Sequence, residues 1–313
     1  MRRRPRRLLV TALLAALGAG TCSAPRFTPR AGAQEVADTP RYRSNRPYES
    51  EVQAKSGREE SAFHVAGGLD VRDQYFFRGY NRASSGVIVQ PYFDLLYTVY
   101  KEDGVAITPH AGAWFNFTEE KGPENPQHWN EFRPSVGVAV DVDRLTLDFL
   151  WVMYKSPSEI FQRSEEIGAT VAYHDRGLWP ASFPFVALNP SVAYFSEYYD
   201  KNDSESDSYF GIALEPELRP FDVGKTPVTL SFPLTFGGSW DGYYFTDSGG
   251  VDQAGYWTAG IKASCPFPGQ RRSSNCRLEA EVDYIRLMAD SVERANGGDN
   301  DDVTLRVGLT FRM

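Results

Sequence analysis

The chain ends on a strict two-residue alternation. Val303, Leu305, Val307, Leu309 and Phe311 are apolar, and Thr304, Arg306, Gly308, Thr310 and Arg312 stand between them. Successive side chains of a β-strand face opposite sides, so this run makes a ribbon with one oily and one wet face. The pattern recurs and predicts strands near 62–73, 86–100, 104–117, 129–142, 144–155, 165–174, 184–198, 207–219, 227–239, 254–265, 276–288 and 302–313. Ribbons of this length suit a wall between lipid and water. The expected fold is all-β: a single antiparallel transmembrane β-barrel of about 12 strands, with short periplasmic turns and longer extracellular loops.

The connections test that reading independently. With the N-terminus in the periplasm, even-numbered connections lie inside. The second, Glu102-Asp103-Gly104, and the fourth, near Asp141–Arg144, are tight. The third, seventh, ninth and eleventh are long and polar: Glu119–His128, Asp200–Asp207, Trp240–Gln253 and Asp290–Asp301. The sixth, eighth and tenth are longer than ideal. A soluble β-sandwich also alternates, but its turns should recur without a short and long rhythm. Tyr75, Phe76, Phe77, Trp114, Phe115, Phe117, Trp151, Tyr154, Tyr198, Tyr199, Tyr243 and Tyr244 fall near strand ends. There they are expected at the membrane interface, where a ring can keep one edge wet. Aromatics are also common in strands of any kind.

Before the barrel, at 61–313, two segments are expected. Arg2, Arg3, Arg4, Arg6 and Arg7 precede an apolar core, Leu8 to Gly20, too short to span a bilayer. Residues 1–33 therefore read as a signal peptide, cleaved after Ala31-Gly32-Ala33, or earlier after Cys22-Ser23-Ala24. Residues 34–60 are polar and aperiodic, a flexible periplasmic leader. Loss of the signal removes seven Arg and no acids, leaving 26 Lys+Arg against 41 Asp+Glu, a net charge of −15. That balance argues against nucleic acid as a partner. The expected surroundings are outer-membrane lipid, lipopolysaccharide and the barrel assembly machinery. Cys265 and Cys276 flank a Pro/Gly/Arg/Ser-rich turn and read either as a disulfide or as two separate thiols.

The registers define a lumen. Leu278, Ala280, Val282 and Tyr284 point to lipid, which turns Glu279, Glu281 and Asp283 inward, where Arg306 of the next strand can pair with them. Leu145, Leu147, Phe149, Trp151 and Met153 point out, with Thr146 and Asp148 inward. Inward acids are Asp70, Asp94, Glu131, Asp141, Asp148, Glu166, Glu197, Glu215, Glu217, Glu279, Glu281 and Asp283. Inward bases are Arg72, Arg78, Arg133, Lys262, Arg306 and Arg312. Twelve acids against six bases predict an electronegative lumen that favours cations. Candidate constriction residues are Asp70, Arg72, Asp94, Asp148, Lys262, Glu279, Glu281, Asp283 and Arg306. The same charges could instead interlock and fill the barrel, because twelve strands lie between those that side chains fill and those that leave a water channel. Asp73 falls on the outward face, where a charge at mid-membrane is costly, so it lies above the lipid or marks a bulge.

Signals for chemistry are thin. His64, His110 and His174 face the lumen without a serine nucleophile nearby and read as hydrogen-bonders. Asp247-Ser248-Gly249-Gly250 reads as a turn. Asp200, Asn202, Ser204 and Ser206 have calcium-loop spacing, but Glu205 stands where the sharp turn needs Gly. Asp299-Asn300-Asp301-Asp302 reads as a solvated acidic loop. No phosphate-cradling loop is present. No catalytic residue, metal or cofactor is expected.

Gly68-Leu69-Asp70-Val71 followed by Tyr75-Phe76-Phe77-Arg78-Gly79-Tyr80 resembles the opening strand of the TorF-family porins. The similarity continues in Val136–Val142 and from Leu147 to Tyr154 into Glu165-Glu166-Ile167. Arg72-Asp73-Gln74 and the terminal Arg312-Met313 depart from the family pattern. The resemblance implies a bacterial outer-membrane barrel with a pore role and no catalytic residues. Together these readings lead to a narrow, weakly cation-selective pore for small solutes. A non-conducting structural or adhesive barrel is the alternative, and a barrel-wall lipid hydrolase ranks behind it.

Overall fold

The structure, a computed structural model, describes residues 62–84, 86–119, 128–159, 161–200, 207–223, 226–267 and 276–313. The expected signal and leader, and the calcium-like spacing at 202–206, lie outside the described residues. Twelve strands form the wall: β1 (Phe63–Arg72), β2 (Ile88–Tyr97), β3 (Val105–Thr118), β4 (Trp129–Val142), β5 (Leu145–Tyr154) and β6 (Ser164–Tyr173), then β7 (Phe185–Ala187 and Ser191–Asp200), β8 (Ser208–Leu214 and Glu217–Leu218), β9 (Thr226–Ser231 and Leu234–Gly238), β10 (Ala254–Pro266), β11 (Cys276–Leu287) and β12 (Asp301–Arg312). Each pairs antiparallel with its neighbours. β1 closes the ring by pairing β2 from Phe63↔Tyr97 and β12 from Ala66↔Arg312. Closure removes the sheet edges that would otherwise recruit another chain.

Prolines explain why β7, β8 and β9 are interrupted. Pro190, Pro216 and Pro233 stand in the three gaps, and proline has no N–H for the ladder. The Asp103-Gly104 turn between Glu102 and Val105 has φ of 49° and 76°, the left-handed pair that a two-residue hairpin of matching twist requires.

The two faces sort as the alternation predicts. Along β5, burial falls on Thr146, Asp148, Leu150, Val152 and Tyr154, with Phe149 exposed between them. Along β11, Glu279 and Glu281 are buried while Ala280 and Val282 are exposed. Phe93, Phe115, Phe117, Trp129 and Phe132 stack on one another outside β2–β4. Inside, Asp70, Asp94 and Asp283 each lie across a glycine directly opposite on the next strand: Gly308, Gly112 and Gly260. A Cβ on any of these glycines would run into the carboxylate.

The main departure from expectation follows β1. Tyr75–Phe77 and Tyr80–Ala83 pair as a hairpin. Its side chains meet inward-facing residues of β4, β5, β6 and β8, so it lies within the barrel instead of over its rim. Tyr75, Phe77 and Tyr80 are buried in a core with Leu150, Val152, Tyr154, Phe195, Tyr209, Tyr243, Tyr244, Tyr256 and Ile285. The ninth connection and a short helix, α1 (Asp290–Ala295), pack on it through Tyr243, Tyr244 and Val292. Tyr75, Phe76, Phe77, Tyr154, Tyr243 and Tyr244 are therefore core residues, and Trp114 packs inward on Tyr75; none belongs to an interfacial girdle. Phe115, Phe117, Trp151, Tyr198 and Tyr199 remain outside the core, with Tyr198 and Tyr199 exposed. Asp73 lies just beyond the end of β1, where its carboxylate accepts the Leu305 N–H at 2.8 Å.

Candidate functional site

The lumen carries an ionic wall. Arg306 of β12 donates from Nη1 to Asp70 at 2.8 Å, from Nη2 to Glu279 at 2.8 Å, and from Nε to Glu281 at 2.7 Å. Its side chain is 3% exposed. Strand register places these groups: Glu281 faces Arg306 and Lys262 on either side, while Asp70 and Glu279 both stand opposite Gly308. Lys262 bridges on to Glu215. Across the ring, His110 Nε2 is 2.8 Å from Asp148 Oδ1, and Asp94 lies within electrostatic reach of both. The alternation thus brings Asp70, Lys262, Glu279, Glu281 and Arg306 together as one cluster, and sets Asp94 and Asp148 apart on β2 and β5.

The hairpin packs within the lumen against β4, β5, β6 and β8. At its tip Arg78 has φ of 46° and Gly79 has φ of 90°. A left-handed arginine is uncommon, so the surroundings hold it there. The Arg78 guanidinium faces Glu166 with both terminal nitrogens, Nη1 to Oε1 at 3.4 Å and Nη2 to Oε2 at 3.3 Å. Its Cζ stands 3.6 Å from the centre of the Tyr209 ring and 5.1 Å from that of Phe195. Tyr154 donates to Glu166 at 3.1 Å, and Tyr244 donates to the Arg78 carbonyl at 2.9 Å. A second guanidinium, Arg133, pairs with Glu131 and donates to the Tyr75 hydroxyl, with Cζ 4.2 Å from the Phe77 ring and 4.3 Å from that of Trp114.

Between the ionic wall and the hairpin tip is a cavity of about 290 Å³. Its roof is Phe76, Arg78 and Gly79. One wall is charged: Arg72, Lys262, Glu279, Glu281, Asp283 and Arg306. The opposite wall is small and uncharged: Thr170, Ala172, Ser191, Ala193, Gly211 and Ala213. His174, Asn189 and Glu215 line it near the inner connections, where His174 Nε2 meets the Thr146 hydroxyl at 2.9 Å.

Alternation alone assigned these lumen-facing charges, but not the location of Arg78. It reaches the lumen from the hairpin tip, not from the wall. The aromatic partners Phe195 and Tyr209 were missed, although both share the inward parity of Ala193 and Gly211. Asp247-Ser248-Gly249-Gly250 is a turn closed by the Thr246 N–H on the Gly250 carbonyl. Among the described residues no cluster of His, Cys, Asp and Glu suits a metal ion. Cys265 stands opposite Leu278, two positions from Cys276 on β11, and no disulfide joins them. Such diagonal neighbours have Cα atoms about 7–8 Å apart, beyond the usual span of a disulfide.

No family model matches the chain, TorF included, and no curated protein matches it. Solved structures similar to it include the COG4313 outer membrane channel from Pseudomonas putida F1, at 10% identity over 82% of this chain and 97% of that one, with a TM-score of 0.46. The NanC porin matches at 12% identity over 80% of this chain and 100% of its own, with a TM-score of 0.38. The β-domain of the Bordetella autotransporter BrkA matches at 9% identity over 80% and 98%, with a TM-score of 0.39. At these identities the likeness is one of fold alone.

Proposed function

We propose that this chain is an outer-membrane channel for small solutes, weakly cation-selective, with the inturned hairpin closing its outer half in the state described. The observation that carries the reading is the ion-lined cavity that rises from the inner connections and stops at the hairpin. A barrel built only to stand in a membrane has no need of a charged space beneath its plug. The apolar outer face supports a bilayer location, and export, lipopolysaccharide contact and insertion by the barrel assembly machinery follow as parts of the same proposal. Around Arg306, Asp70, Glu215, Glu279, Glu281 and Asp283 outnumber Arg72, Lys262 and Arg306, which biases the lumen towards cations without excluding anions. The reading assigns no catalysis to the lumen.

Planar-bilayer recording of the refolded chain, beside a variant whose residues 74–84 are replaced by a short Gly/Ser linker, tests it. The wild type should open rarely, and the variant should show steady steps with a cation-favouring reversal potential. An inserted, hairpin-deleted barrel that stays silent would overturn the channel. One observation favours a non-conducting barrel: the continuous aromatic core that binds the hairpin to the wall.

A further inference from the structure

We propose that the pocket holding the Arg78 guanidinium is a binding site for an organic cation, occupied in this state by a side chain of the protein itself. The inference rests on the channel reading and names the solute class for that same lumen.

Without Arg78, the wall it touches is a box for a flat or rounded cation. Glu166 offers both carboxylate oxygens from the side, and Tyr154 fixes that carboxylate by donating to Oε2. Tyr209 supplies a ring face 3.6 Å from the charged carbon, and Phe195 and Tyr243 stand 5.1 and 5.7 Å from it. A buried carboxylate combined with aromatic faces is the chemistry that recognises guanidinium and alkylammonium groups, because ring quadrupoles attract a cation already stripped of water. Glu166, Tyr154, Phe195 and Tyr209 all belong to the barrel wall, so the box stays when the hairpin moves. Tyr243 stands on the ninth connection, and Arg78 is delivered by the hairpin, a segment attached at its two ends.

The setting also fits a displaceable occupant. Arg78 takes a left-handed backbone conformation to reach the box. The cavity lies beside it and includes Arg78 and Tyr209 in its lining, although the guanidinium itself is buried. The acids around Arg306 would concentrate cations there. A solute with a guanidinium or amine head would therefore compete with Arg78 for Glu166, and its binding and the release of the hairpin would be one event.

Isothermal titration of the folded barrel in detergent with ethylguanidinium, using neutral ethylurea as the shape control, tests the site without requiring conduction. The Arg78→Ala variant should bind ethylguanidinium saturably, one per barrel, and ignore ethylurea. Arg78→Met, which keeps the stem packed, repeats the test if Arg78→Ala fails to fold. Adding Glu166→Gln should weaken binding at least tenfold. Wild type should bind at least tenfold more weakly than the single variant, since its own arginine fills the box. Absence of saturable binding in both folded Arg78 variants, or equal binding by wild type and variant, would overturn the proposal. Failure of the hairpin-deleted barrel to conduct would remove the channel and leave this site standing.

Discussion

Replacing Arg306 with methionine should strip the ionic wall of the cation that Asp70, Glu279 and Glu281 share. The guanidinium serves three carboxylates at 2.6–2.8 Å, and its side chain and theirs are all at most 7% exposed. Breaking a buried ion pair by removing one partner costs about 3–5 kcal/mol, because the remaining charge stays in a poor solvent. Here three acids lose one partner. Arg306→Met should therefore destabilise the barrel by about 3–5 kcal/mol at pH 7. Urea titration in phospholipid vesicles, followed by tryptophan fluorescence, measures it. Adding Glu279→Gln and Glu281→Gln removes two of the stranded charges and should recover at least half of the loss. A single variant within about 1 kcal/mol of wild type would refute the premise that this cluster is dry and mutually dependent.

Three further outcomes are expected. Gly308→Ala places a methyl group against the Asp70 carboxylate and the Arg306 guanidinium, and should cost about 1–3 kcal/mol in the same titration. Converting Glu279 and Glu281 to Gln and Asp283 to Asn in the hairpin-deleted barrel should move the reversal potential towards anions. Phe77→Ala, at a fully buried position of the hairpin, should loosen the plug by about 3–5 kcal/mol. In bilayers that loosening should appear as more frequent openings of the otherwise intact chain.

The wall was legible because each strand has one neighbour type per face. Once Val282 and Leu305 are assigned to lipid, Glu281 and Arg306 have no other direction to point, and they meet. The plug was not legible for a related reason. Tyr75-Phe76-Phe77 is a run of three aromatics without alternation, and the expected girdle absorbed it as interfacial. Its residues are buried on successive positions, which a lipid-facing strand never shows. Tyr243-Tyr244 repeats that signal in the ninth connection. An unbroken aromatic run outside the strands of a barrel is thus better read as core in search of a cavity. Asp73 was flagged by its cost, and a local device met that cost: the strand ends and the carboxylate takes an N–H of the adjacent strand. The breaks at Pro190, Pro216 and Pro233 were visible in the residues, but the alternation on either side joined the pieces into single strands.

The aspartates lying across Gly112, Gly260 and Gly308 bear on the calibre of the lumen. A side chain that stands upright from the wall takes its full length from the free diameter. One that lies down in the groove left by a glycine takes little more than its thickness. In a barrel of only twelve strands that difference decides whether charge and open space can coexist at one level. The room these acids take in the lumen is therefore set in part by residues that have no side chain, and a methyl group added to any of the three would force its acidic neighbour to move.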